Sequence, residues 1–328
     1  MSEIAEINPD TEAHVERARV LRVELQALID RDGLSVRTVA EQSNIGYSTL
    51  NSWLNDSYPG RTDNVNTKVE TWLKAQSSRE RLKRSVAKAP DFLELPSAET
   101  FMTVFEFCQA GPDMGLITGG AGIGKTTACE QYQKRSPNVW VTTCVTTMTS
   151  PSSVLNRVRL DIELAEGRAR DLEEDIVRRL RGTGGLLIVD EAQHLRKEGI
   201  DTLRMLHDRA KIGVVFVGNE SLRKRIEGMS RDADFAMIFS RVGMRKKRDR
   251  PITRDIAMLL DAWGVNDRQC RETLRWIALQ PGALRQMNKV LSYARMLARG
   301  DGRDAETMRD IESAWKELTS GELPARAV

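Results

Sequence analysis

Eight residues constrain this chain more than any others: Gly119-Gly120-Ala121-Gly122-Ile123-Gly124-Lys125-Thr126, which fit G-x-x-x-x-G-K-[ST] in full. They follow a short apolar segment, residues 115–118, that reads as a strand, and they open a segment, residues 126–134, that reads as a helix. Glycine lets the backbone bend until several N–H groups converge into a nest that a Cβ would obstruct. The helix start adds its positive dipole end. Such a turn is built for phosphate. Gly119 through Thr126, with Thr127 beyond, are therefore the expected ATP-contacting residues. Lys125 is expected to charge-pair with the β and γ phosphates, and the Thr126 hydroxyl to ligate Mg²⁺. An accidental Gly-rich turn is the bland alternative, against which the flanking strand and helix weigh.

Leu186-Leu187-Ile188-Val189-Asp190-Glu191 is an apolar run ending in two carboxylates. Acidic pairs also begin ordinary surface loops, so the run gains meaning only beside the phosphate loop. With it, Asp190 is expected to hold Mg²⁺ through water and Glu191 to polarise the attacking water. Residues 139–145 and 214–217 read as further strands, and 153–164 and 172–180 as helices. Continuous apolar runs, rather than alternation, predict strands covered on both faces, as in a parallel α/β sheet. After Pro251 the strands stop, and 254–263, 268–279, 283–298 and 305–318 read as helices. The expected architecture is an α/β P-loop core at 99–250 and a helical lid at 251–328. Residues 1–76 read as an all-α domain of short helices. Residues 77–98, rich in Lys, Arg and Ser and holding Pro90 and Pro96, read as a linker.

At 328 residues more than one unit is expected. A net charge of +3 does not by itself indicate a nucleic-acid partner, but Arg241, Arg245, Lys246, Lys247, Arg248 and Arg250 are clustered. Cys108, Cys129, Cys144 and Cys270 form no CxxC pair, and the three histidines lie at no metal-ligand spacing to them, so reduced, buried thiols are expected. No apolar run is long enough to cross a bilayer, and the N-terminus lacks a basic-then-apolar leader. No membrane partner and a cytoplasmic location are expected.

Residues 36–54 match a helix-turn-helix. Val36, Val39 and Ala40 supply the inner face of the first helix, and Leu50, Trp53 and Leu54 that of the second. The turn needs a residue tolerant of positive φ, and Asn44 fills it. Tyr47, Ser48, Thr49, Asn51 and Ser52 are left to reach phosphates or base edges. The face has few basic residues, so modest affinity is expected. A helical protein-docking module is the alternative.

This pattern resembles the AAA+ ATPases, and the resemblance implies further site residues. Val214–Val217 followed by Gly218-Asn219 is similar to the strand ending in sensor 1, although Asn219 equally suits a cap for the helix after it. Phe239-Ser240-Arg241 is similar to the arginine-finger element of initiator-like members, with a solvated basic loop as the alternative. Pro281-Gly282-Ala283-Leu284-Arg285 resembles sensor 2, with Arg285 reaching the γ-phosphate.

Adding the small helix-turn-helix, the chain over roughly residues 20–320 resembles the Mu B family of phage transposition proteins. The matching stretches are 52–58 with Trp72-Leu73, Asn138-Val139-Trp140, 213–219, 235–241 and 281–285. That resemblance implies a DNA-stimulated ATPase that binds double-stranded DNA with little sequence specificity, as a homo-oligomer or helical filament. It implies delivery of target DNA to a cognate DDE transposase, which provokes hydrolysis, in a bacterial host cell and from a phage or mobile element. Duplex along the filament's inner surface would meet Arg168 and Arg170, in a loop that alternatively is merely solvated. The chain departs from the family in residues 1–19 and in the basic run 245–250. Two readings compete: a helicase loader or replication initiator, and a transcription regulator that uses ATP only as a ligand. The Gly-Ala-Phe-Thr-Gly-Ala motif of enhancer-binding activators is absent.

Overall fold

The computed structural model describes residues 9–85, 87, 89, 92–165, 171–228 and 241–324. Its contacts divide the chain into two units, Met1–Val86 and Ala87–Val328.

The first unit holds α1 (Pro9–Asp32), α2 (Val36–Ser43), α3 (Tyr47–Leu54) and α4 (Asp63–Ser85). Ala18, Leu21, Leu25 and Ile29 recur at helical spacing on α1 and are all buried. They pack with Val39, Ala40, Leu50, Trp53, Val69 and Trp72, one core for all four helices. Ser35 caps α2 by accepting from the Thr38 N–H at 3.1 Å. Asn44 takes the expected left-handed conformation at φ 53° and closes the helix-turn-helix. The helices at either side are long rather than short, and α4 continues through Ser85, so the first part of the expected linker is helical. The apolar stripe fades after Leu73, but Lys, Arg, Glu and Gln are good helix formers. Extending an existing helix spares the cost of a new nucleus, so weak periodicity does not stop it.

In the second unit, β1 (Met114–Gly119), β2 (Val139–Thr143), β3 (Leu186–Asp190), β4 (Gly213–Gly218) and β5 (Val242–Arg248) form one sheet in the order β2-β3-β4-β1-β5. Every pairing is parallel. Leu187, Val189, Val214 and Phe216 face α7 (Pro151–Asp161), α8 (Leu172–Leu180) and α9 (Lys197–Ala210). Ile188, Val215 and Val217 face α5 (Pro96–Ala110) and α6 (Lys125–Arg135). Both faces being covered, the alternation is invisible in the sequence.

The sequence assigns no element to the basic stretch. Residues 242–248 are the sheet's edge strand, paired along β1 from Met114 to Gly119. Most of its side chains are exposed, so no apolar run announces it; the free edge of β1 selects the conformation. Beyond β4 lies α10 (Glu220–Gly228), and beyond β5 the lid of α11 (Thr253–Trp263), α12 (Arg268–Ala278), α13 (Ala283–Gly300) and α14 (Met308–Thr319). The lid has its own core, including Ile256, Leu260, Leu274, Met287, Leu291 and Ile311. Asp255, fully buried, accepts from the Ser97 and Ile252 N–H groups at 3.1 Å each, so one carboxylate closes the first turn of α11 and ties it to that of α5. All four cysteines are free and buried, and burial pushes the Cys108 thiol up to about 12. Among the described residues no helix is long and apolar enough to cross a membrane.

Candidate nucleotide site

Parallel strands send all their C-terminal ends to one edge of the sheet, and there the predicted residues gather. The loop after β1 turns through Gly122 at φ 78° and Gly124 at φ 91° before α6 begins at Lys125. Ile123 is buried in the core and anchors the loop from below. Two glycines answer to protein neighbours as much as to phosphate. A Cβ on Gly120 would overlap the Asp249 carbonyl just past β5, and one on Gly122 would overlap the Gly282 carbonyl at the start of lid helix α13. The Gly120 N–H donates to the Arg248 carbonyl at 3.1 Å, and the Arg285 N–H to the Gly122 carbonyl at 3.3 Å. The phosphate loop is thus gripped between the edge strand and the lid.

Lys125 Nζ curls over the loop and donates to the Gly119 and Gly120 carbonyls at 2.9 and 2.7 Å. Burial holds this ammonium below its ordinary value; Asp190 and Glu191 oppose the shift and Arg285 adds to it. Thr126 Oγ1 donates to Asp190 Oδ2 at 2.7 Å, and Asp190 is almost wholly buried. A hydroxyl beside a carboxylate is an all-oxygen donor set of the kind Mg²⁺ takes, and next to it a Cβ on Gly124 would meet nothing within 4 Å, which leaves open space beside the loop. Ala121 and Thr127 are exposed at the rim. Hydrogen bonding therefore brings Lys125 over the loop and Thr126 against Asp190.

Glu191 follows β3 in the left-handed region, φ 53° and ψ 33°, unusual for a β-branch-free but non-glycine residue. Asn219 ends β4 at the same edge, but its side chain is engaged: Oδ1 accepts from Ser221 N at 2.9 Å and Ser221 Oγ at 2.6 Å, capping α10. Arg285 is brought against Gly122 by the lid. Arg241 is not brought in. It precedes β5, whose other end touches the phosphate loop, so about 20 Å of strand at ~3.3 Å per residue separates it from its own chain's site. Arg241 instead pairs with Asp208 on α9 at 3.2 Å. Phe239 and Ser240, and the loop with Arg168 and Arg170, lie outside the described residues.

In the first unit, Tyr47 and Ser48 are exposed on α3, and Thr49, Asn51 and Ser52 are half-buried. Ser52 Oγ is spent on the Ser48 carbonyl at 2.8 Å. Arg37, exposed on α2, lies over the Tyr47 ring at 5.7 Å, a cation beside the polar face that reading α3 alone missed. Gln193 was likewise missed at the nucleotide site, because nothing in its spacing marks it.

Residues 109–226 match the AAA domain family, and residues 240–318 match the family of Mu B transposition proteins, C terminal. The chain is 31% identical over 305 residues to the ATP-dependent target DNA activator B of Escherichia phage Mu, covering 91% of this chain and 95% of that one. It is 30% identical over 251 residues to the Mu-like prophage FluMu DNA transposition protein B of Haemophilus influenzae, covering 75% and 86%. Its fold is similar to the ORC2 protein of Aeropyrum pernix, with a TM-score of 0.57 at 19% identity over 71% of each chain. With the parallel sheet, the phosphate loop and a full-length relative in agreement, the chain belongs to the Mu B transposition-protein family and is an AAA+ ATPase.

Proposed function

We propose that this chain couples ATP binding and hydrolysis to capture of double-stranded DNA as a target for a DDE transposase. The observation that carries the reading is the joining of two things. Lys125, Thr126, Asp190 and Glu191 lie at one sheet edge. They do so in a chain alike over 305 residues to an ATP-dependent target DNA activator.

The loop N–H groups and Lys125 take the phosphates. Thr126 and, through water, Asp190 would hold Mg²⁺, which supplies neutralisation of charge on the β and γ oxygens. Glu191 receives the proton of the attacking water, Asn219 orients that water, and Arg285 reaches the γ-phosphate from the lid. The span from Arg241 to its own site supports action on a neighbouring subunit's nucleotide, so hydrolysis requires a homo-oligomer or helical filament. Tyr47, Ser48, Thr49, Asn51 and Ser52, joined by Arg37, contact duplex DNA with little sequence preference, and Arg168 and Arg170 add phosphate contacts.

The test is a purified chain, mixed duplexes of unrelated sequence, and a candidate DDE transposase. ATP should raise DNA affinity similarly on every duplex, and strand transfer into that DNA should increase. Equal DNA binding with and without ATP would overturn the coupling.

A further inference from the structure

Gln193 lies in the short 3-10 turn Ala192–His194 directly after Glu191, half-buried, with an amide that faces two ways. Its Nε2 donates to Glu191 Oε2. Its Oε1 accepts from the backbone N–H of Asn219 at 3.3 Å, at the end of β4. Position 218 is shaped around it, since a Cβ there would come within 2.6 Å of Gln193 Oε1 and also meet Leu222. Glu191 itself has the left-handed backbone of a residue held by its surroundings, with His194 N–H donating back to its carbonyl at 3.0 Å. One side chain therefore spans the carboxylate after β3 and the residue after β4.

We infer that Gln193 is a positioning residue for hydrolysis, fixing the Glu191 carboxylate relative to the end of β4. The inference rests on Glu191 acting as the water-polarising base. Geometry decides the role. A carboxylate on a free side chain samples several rotamers, and a base must lie within hydrogen-bond reach of its water in one of them. A neutral amide suits the task better than a charged group. Its N–H binds one carboxylate oxygen and leaves the second for water, while its carbonyl reads the position of β4. Because Asn219 Oδ1 is occupied in capping α10, the link from β4 to Glu191 runs through Gln193 rather than through the Asn219 side chain. Gln193 touches neither the phosphate loop nor Asp190 through any hydrogen bond found among the described residues, so nucleotide affinity should not depend on it.

The experiment uses the full chain with saturating duplex DNA and measures ATP affinity with a fluorescent nucleotide alongside single-turnover hydrolysis. Gln193→Ala should slow hydrolysis roughly tenfold, with ATP affinity within about twofold of the parent, the pattern of a lost orientation rather than lost binding. Gln193→Glu keeps the shape but replaces the donor with a second acceptor, and should be at least as slow. In a Glu191→Gln background, adding Gln193→Ala should cost nothing more, because the residue acts only through Glu191. Parent-like or faster hydrolysis in Gln193→Ala would overturn the assignment. So would normal turnover in Gln193→Glu, which would mark a packing role, or equal losses in affinity and rate. A fully active Glu191→Gln would instead remove the base assignment, and the Gln193 role with it.

Discussion

The nucleotide site has two halves built differently. The inner half, from Gly119 to Thr126 with Asp190, is closed on itself: lysine on loop carbonyls, threonine on aspartate, glycines pressed against β5 and the lid. The outer half, Asn219 and Arg241, has its side chains committed elsewhere, one capping α10 and one paired with Asp208. Phosphate can enter the inner half by replacing the loop carbonyls as partners of Lys125. The outer half must exchange partners first, and in the function proposed above Arg241 acts on a neighbouring subunit's nucleotide. Binding would then be a property of one chain and hydrolysis a property of an assembly.

Lys125→Ala should break the inner half outright. A hydrogen bond to a charged group contributes about 1.5–3 kcal/mol, so ATP affinity should fall roughly 10- to 100-fold and turnover should vanish. Isothermal titration with ATP measures it, and unchanged affinity would mean the inner half is not the site.

Arg241→Ala should do the reverse, sparing ATP affinity while cutting turnover on the order of 10³-fold, as loss of an arginine finger does. Mixing it with Glu191→Gln sharpens the contrast. Interfaces that pair an intact Glu191 with an intact Arg241 should regain hydrolysis, and no recovery in mixtures shown to co-assemble would place Arg241's action elsewhere.

A smaller effect tests the grip on the loop. Gly122→Ala places a Cβ against the Gly282 carbonyl at a φ of 78° and should destabilise the second unit by about 1–3 kcal/mol. Calorimetry would show a lower Tm together with weaker ATP binding; an unmoved Tm would mean the lid yields freely.

The smallest effect lies in the lid, far from ATP. The Arg303 guanidinium, followed by Thr307, holds the Asp310 carboxyl down to about 2. Because the folded value lies below the ordinary carboxylate range, its stabilisation is present above pH ~4 and fades as pH falls toward 2. Arg303→Ala should lower the urea midpoint of the second unit at pH 6, and the difference should shrink as the acid limb is approached. A constant difference across that range would assign the loss to packing.

Much of this was legible because its signals are local. The glycine spacing, the apolar run into Asp190-Glu191 and the αL-tolerant Asn44 each state a backbone requirement within a few residues. The edge strand was not legible, since Arg245, Lys246 and Lys247 read as solvated charge until the free edge of β1 is present to pair them. Nor was the end of α4, where helix propagation outran the apolar pattern. At the site, Asn219 was read with two roles open, and its Oδ1 caps α10. Gln193 carried no signal, because its importance lies in a 26-residue separation from Asn219 that only the sheet closes.

By itself the sequence determined the phosphate loop, the acidic pair, the parallel α/β core with its helical lid, and the helix-turn-helix, because backbone bending, burial and charge are fixed by residue type and spacing. Only the tertiary structure decided which partner each polar side chain takes. A hydroxyl, amide or guanidinium satisfies itself with whatever donor or acceptor the packed strands and helices bring within about 3 Å, and that neighbour is set by the whole fold.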